Sequence, residues 1–256
     1  MKTSRIILHD EPSVPEIDID GASDFIEDTF KVPTEKKDSI FYSCNDIIHD
    51  IAASRIRELN SPFCRHKPTA EEIKFERDNT ADTAINSNIT YYDGFELQNA
   101  LGKIIPNDDL TDDTFHIIFT NKLTCTYDYE DHRYHGRALI GSNPSVISTT
   151  GIIEAPAKPR EYYMRLITHS RLGINVESLR DKFRGTFLEY RDSRLAQIVC
   201  GYVLQAIFYY ETQEAFCESV DCRLYNAHWQ KDLLHSQIEV GSLCEKHQKI
   251  LDILTI

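Results

Sequence analysis

The clearest apolar pattern near the start of the chain is the run Ile6-Ile7-Leu8, set between Arg5 and His9 and closed by Asp10, Glu11 and Pro12. It predicts a short strand over residues 5–9, ended by a turn. Helical spacing follows over residues 22–30. A second helix is expected over residues 45–59, with Ser43 as its cap and Ile47, Ile48, Ile51, Ala52, Arg55 and Ile56 at helical spacing. Residues 60–88 are polar, and charge dominates 71–78, which marks an excursion between ordered elements. Asp93 and Glu96 have capping-box spacing and open a helix carrying Phe95, Leu97, Ala100, Leu101 and Ile104 up to Pro106. Strands are expected over residues 115–119, 137–140 and 146–150, the last two parted by Gly141-Ser142-Asn143-Pro144. Helices alternating with strands predict a layered α/β sandwich.

Beyond Pro159 the pattern turns helical, over residues 160–172, 176–183, 192–211, 227–238 and 245–254. Leu195, Ile198, Val199, Tyr202, Val203, Ala206, Ile207 and Tyr210 recur at helical spacing, so residues 192–211 are expected to form a buried central helix. The division this suggests is an α/β subdomain with a mixed sheet over residues 1–158 and a helical subdomain over 159–256.

Composition narrows the function classes. The 256 residues hold 28 Lys and Arg against 41 Asp and Glu, a formal net charge of −13, so the average surface repels a phosphate backbone and no nucleic-acid partner is expected. No stretch approaches the roughly 18 apolar residues of a membrane span, and the first fifteen residues lack the apolar core of a secretion signal. Seven cysteines, an odd number of which only three cluster, fit a reducing, cytoplasmic setting better than a disulfide framework. Oligomeric state cannot be read from the pattern.

That cluster carries the most chemistry. Cys217-x4-Cys222 and Cys244-x2-His247 are two ligand pairs 21 residues apart, enough for a short helix that returns the second pair to the first. The expected product is a Cys3His zinc site, closed by four protein ligands and therefore structural. His228 and His235 are alternatives for the fourth ligand, and three unrelated buried thiols are the competing reading. Asp128, Glu130, Asp131, His132 and His135 read first as a solvated hairpin loop, with a metal cluster on the His-x2-His spacing as the reserve reading. Glu154, Lys158 and Arg160 flank the bend at 155–159 and either recognise a carboxylate terminus or simply flank a helix start. Cys44, Cys64, Cys125 and Cys200 are isolated, and no phosphate-cradling glycine signature occurs.

The run Cys217-x4-Cys222-x-Leu224 followed by Cys244-x2-His247 resembles the C-terminal part of the archaemetzincins, zinc metallopeptidases of archaea and some eukaryotes. In that family a helix bearing H-E-x-x-H-x-x-G precedes a C-x4-C-x-M and C-x-x-C zinc site. Aligned on Cys217, the resemblance places the first histidine at Ala206, the glutamate at Ile207, the second histidine at Tyr210 and the glycine at Gln213. Leu224 replaces the methionine and His247 the last cysteine. Weaker likeness continues through 115–150. None of the ten histidines lies four residues from another and none precedes a glutamate, so a zincin centre cannot be rebuilt in any register. The resemblance thus implies a metzincin-like sandwich with a structural zinc and no H-E-x-x-H chemistry. Two functions follow as expectations. One is a catalytically inactive fold that binds a peptide or protein partner along an edge strand, with Tyr209, Tyr210 and Glu211 lining a vestigial cleft. The other is an active metal-dependent peptidase or hydrolase with a non-standard site drawn from His132 and His135.

Overall fold

A run apolar on both faces suits a strand covered on both sides, and Arg5–His9 (β1) and Thr114–Thr120 (β4) are such strands, with Ile6, Ile7, Leu8 and all seven β4 residues buried. The computed structural model describes residues 1–43, 47–79, 89–175 and 177–255. The expected cap by the Ser43 side chain, the helix start at Asn45, Cys44, the end of the polar stretch at 80–88 and Val176 lie outside the described residues.

β1 and β4 form the centre of a five-stranded sheet with Thr34–Lys37 (β2), Leu139–Ile140 (β7) and Ser145–Ser148 (β8), in the order β2-β1-β4-β8-β7. All neighbours are parallel except β7, which runs antiparallel to β8. A second sheet joins Tyr91–Asp93 (β3), Leu123–Asp128 (β5) and Arg133–Arg137 (β6), in the order β3-β5-β6. β6 continues through Ala138 into β7, and the Ala138 carbonyl accepts a hydrogen bond from Ser148 N (2.8 Å). One stretch of chain is therefore the edge of both sheets.

Strand parity sorts the core. Ile6, Leu8, Phe115, Ile117, Phe119 and Ile147 pack with Ile26 and Phe30 of Ile19–Phe30 (α1) and with Ile198, Val199, Val203 and Phe208 of Leu195–Thr212 (α8). Ile118 and Val146 face the other way, toward Ile48 and Ile51 of Ile48–Ala53 (α2) and Leu97 and Leu101 of Gly94–Gly102 (α4). Helices on both faces of a mainly parallel sheet make a mixed α/β architecture. As expected, α8 is the buried helix: from Ile198 to Phe208 it exposes little of any face apart from Cys200.

Several expected boundaries are corrected. Helix α2 ends at Ala53, where Ser54 turns back onto Asp50 and Ile51 and Arg55 bridges to Tyr92, so the helix does not reach 59. The polar stretch contains a helix, Ala70–Asn79 (α3). The strand read over 146–150 stops at Ser148, whose hydroxyl caps Thr149–Glu154 (α5) by accepting from Gly151 N. The Asp93 carboxylate caps α4 by accepting from Phe95 N and Glu96 N, while Glu96 pairs with Arg65 instead of closing the box. Arg160–Leu172 (α6) and Glu177–Phe183 (α7) pack through Tyr162, Leu179, Phe183 and Phe187. In place of one helix over 227–238 the chain forms Gln230–Leu234 (α9) and a π-helical stretch His235–Val240, and Glu245–Leu254 (α10) follows.

Candidate metal centre and the adjoining cleft

Helix α8 ends at Gln213, whose φ of 66° and ψ of 9° make a left-handed cap. The chain then turns so that Cys217 N donates to Leu224 O (2.9 Å), while Cys222 N donates to Ser219 O and Tyr225 N to Cys222 O, a tight knuckle presenting two sulfurs. Arg223 N donates to Ser242 O, which brings the second pair alongside. Cys244 is the N-cap of α10 and His247 lies in its first turn.

These residues bring four ligand atoms within 4.8 Å of one another. Cys217 Sγ lies 3.9 Å from Cys244 Sγ, and His247 Nδ1 lies 3.6 Å from Cys222 Sγ and 3.1 Å from Cys244 Sγ. A tetrahedral zinc with bonds of about 2.3 Å to sulfur and 2.0 Å to nitrogen needs neighbouring ligand atoms about 3.5 to 3.8 Å apart. The separations given bracket that range, so the donor set suits such an ion. Backbone N–H groups already point at the sulfurs, Ser219 N at Cys217 and Cys244 N at Cys222, both at 3.4 Å. Burial pushes the Cys222 thiol up to about 12. Burial also works against the Cys244 thiolate, yet the amides of His247 and Lys246 at the helix start and the neighbouring thiols outweigh it and hold the group below its usual value. Burial, reinforced by Lys246, lowers His247, so its imidazole stays neutral and able to ligate. A thiolate at Cys222 thus needs a cation to sustain it.

The alternatives for the fourth ligand lie elsewhere. His235 is half-buried and pairs with Asp221 (2.8 Å) and Glu239 (2.7 Å), contacts that raise its pKa. His228 lies at a bend before α9 and does not share a helical face with His235. Among the described residues no other group brings three such ligands together. His132 sits on the β5–β6 turn at φ 52°, and His135 Nε2 lies 2.9 Å from Asp131, off the line of a hydrogen bond. The cluster at 128–135 is a hairpin. Lys158 pairs with Glu154 (3.1 Å) at the 155–159 bend, and Arg160 begins α6, which leaves an ordinary helix start.

A cleft of about 520 Å³ opens beside the centre, bounded by His135 and Arg137 of β6, Tyr202 and Tyr209 of α8, Phe216 and His228. Its position follows from close approaches. A Cβ on Gly141 would meet the Tyr209 ring at 2.6 Å, so glycine lets that ring lie across the end of β7. Ala206 lies between Tyr202 and Tyr209 on one helical face and is fully buried, as is Ile207. Of the three residues expected to line a cleft, only Tyr209 does so. Tyr210 stacks on Phe115 (centroids 4.4 Å apart), and Glu211 accepts hydrogen bonds from Lys2 N and Thr3 N. The sequence pattern missed Tyr202 and Arg137 as lining residues; the glycines at 136 and 141 flanking the edge were the available signal.

A family model described as a probable metallopeptidase family (DUF6775) matches residues 2–254. Among solved structures, a zinc-dependent peptidase from Methanocorpusculum labreanum (strain Z) is similar at 10% identity and a TM-score of 0.44, covering 96% of this chain and 99% of that one. No curated protein matches the chain.

Proposed function

Because the chain belongs to the probable metallopeptidase family over residues 2–254, we propose that it is an archaemetzincin-like, metzincin-type protein that has lost zincin catalysis, keeps one structural zinc and receives an extended peptide in its cleft. One observation carries this reading: the helix where a zincin needs two imidazoles and a carboxylate presents buried Ala206 and Ile207 and a stacked Tyr210, and it ends in a left-handed cap at Gln213, the position aligned with the family's glycine. Four protein ligands complete the Cys3His tetrahedron and leave no position for water or substrate, so zinc there supplies folding energy.

The edge strand made by β6 and β7 borders the cleft, and an extended peptide adds to such an edge by main-chain hydrogen bonds, with Phe216, Tyr209 and Arg137 near its side chains. Among the described residues no helix is long and apolar enough to cross a membrane.

A second reading rests on His135 and His228, which both border the cleft and offer the start of a hydrolytic metal site. Metal analysis of protein purified without chelator separates the two. The first reading expects one zinc per chain, lost in Cys217→Ser and Cys244→Ser, with no hydrolysis of a peptide library. A second metal removed by His135→Ala or His228→Ala, together with peptide cleavage, sinks it in favour of the hydrolase.

A further inference from the structure

Helix α3 is seated by a charge. Of its residues with described side chains, Glu76 alone is fully buried, and Ile73 and Phe75 are half-buried. The Glu76 carboxylate enters a pocket built by other elements. Oε1 accepts from Arg55 Nε (2.7 Å) and from the Tyr92 hydroxyl (2.8 Å), and Oε2 accepts from Lys122 Nζ (2.7 Å). Phe41 and Tyr92 place their rings 5.5 and 5.1 Å from the Lys122 ammonium.

Two features distinguish this pocket from a simple ion pair. Its walls are fixed without α3: Arg55 bridges to Tyr92, Ile56 N donates to Tyr91 O, Asp93 N donates to Ser54 O, and Lys122 is held between β4 and β5, where its carbonyl accepts from Ser148 Oγ. Its occupant also fits imperfectly. Arg55 Nη2 is buried 2.5 Å from Glu76 Oε1 but off the line of a hydrogen bond, and it has no other acceptor among the described residues. Both ring nitrogens of His66, beside Glu72 of α3, are likewise buried without a hydrogen-bond partner. A guanidinium presents two parallel donors to a carboxylate, and Glu76 uses only one of them well. Arg55 faces Oε1 and Lys122 faces Oε2 of this one carboxylate, with Glu11 the further anion acting on Lys122.

We propose that Arg55, Lys122 and Tyr92 form a carboxylate-binding site which the chain's own Glu76 fills in this structure, so that α3 is a plug an incoming carboxylate displaces. The ligand chemistry is a carboxylate next to an apolar group, carried by a small acid or by the free end of a peptide. The site is separate from the zinc cluster and does not depend on the function proposed for the cleft.

The test empties the pocket and refills it. Glu76→Ala protein is titrated with sodium acetate and with N-acetylphenylalanine, against sodium chloride and N-acetylphenylalanine amide at equal concentration, while the melting temperature is followed. The expected result is a fall in melting temperature on substitution and a dose-dependent recovery of several degrees with the carboxylates alone, as ligand linkage requires. That recovery should vanish when Arg55→Gln is added. A larger recovery with N-acetylphenylalanine than with acetate assigns the site to chain ends, and an equal one assigns it to small acids. Destabilisation with no recovery, or the same recovery in chloride or amide, identifies a structural anchor and overturns the proposal. If Glu76→Ala does not fold, the near-isosteric Glu76→Gln is titrated in the same way: recovery with carboxylates alone supports the site, and its absence overturns it.

Discussion

At the scale of single residues, folding brings together the four side chains whose spacing suggested a ligand set. Cys222 and His247 are both buried, and each ligand lost leaves the other three short of a tetrahedron. Cys222→Ser and His247→Ala are each expected to weaken zinc binding well beyond the roughly 10–100-fold lost when only a group hydrogen-bonded to a ligand is changed, measured by competition with a chromogenic chelator. This cluster was legible because metal ligands come as close pairs in sequence. Glu76 was not, because its partners Arg55, Tyr92 and Lys122 are scattered along the chain and only folding joins them. The pair His9 and His116 was hidden for the same reason: His9 Nε2 and His116 Nδ1 meet at 3.1 Å across β1 and β4, and His116 Nε2 faces Asp109 O. Burial, then His116 and Lys37, lowers His9 from 6.5 to about 4, with Asp109 opposing. Since the unfolded chain binds the proton more readily, stability is full above about pH 6.5 and falls as pH drops toward 4, by on the order of 3 kcal/mol from this residue. Denaturant melts of wild type and His9→Gln at pH 7 and pH 5 check the sign: the variant should lose less on acidification, and equal losses would dismiss the effect.

At the scale of elements, sequence periodicity located what packs broadly and missed what packs by a few contacts. Helices α8 and α10 and strands β1 and β4 follow their apolar spacing, whereas α6 forms over its expected range but buries only Tyr162 and leaves Met164, Ile167 and Leu172 exposed. Edge strands β2 and β6 are half-exposed and polar, so alternation gave no signal, and α3 is charged along most of its length. Thr149 and Thr150, which open helix α5, belong to the expected strand because β-branched residues favour extended backbone, a preference that tertiary packing overrides here. That packing is close: a Cβ on Gly151 would lie 2.1 Å from the Arg137 carbonyl oxygen, in the backbone of β6. Gly151→Ala should therefore displace α5 from the edge strand and lower stability by about 3 kcal/mol, in the range for overpacking against a rigid neighbour. A urea midpoint unchanged from wild type would refute it. Asp93→Ala, which removes the α4 cap and an acceptor for the Tyr134 hydroxyl, should lose about 1 to 2 kcal/mol in the same assay.

At the scale of the whole molecule, the zinc knuckle is tied into the main core, because Cys222 and Leu224 share a cluster with β1, β4 and α8. Chelation should thus raise hydrogen exchange first in α10 and the 217–225 knuckle, while amides of α4 on the opposite face of the sheet keep their protection. Uniform loss across both faces would mean the centre supports the entire fold. The strand shared by the two sheets bears on which length changes the chain can absorb. β6 is matched residue by residue to β5, and with only Ala138 between them β7 is matched to β8. Any deletion or insertion between 133 and 140 would throw one of these registers out of phase and turn buried side chains outward. An added residue in the turn at 129–132 disturbs neither, which makes that turn the place to splice in a reporter peptide beside the cleft.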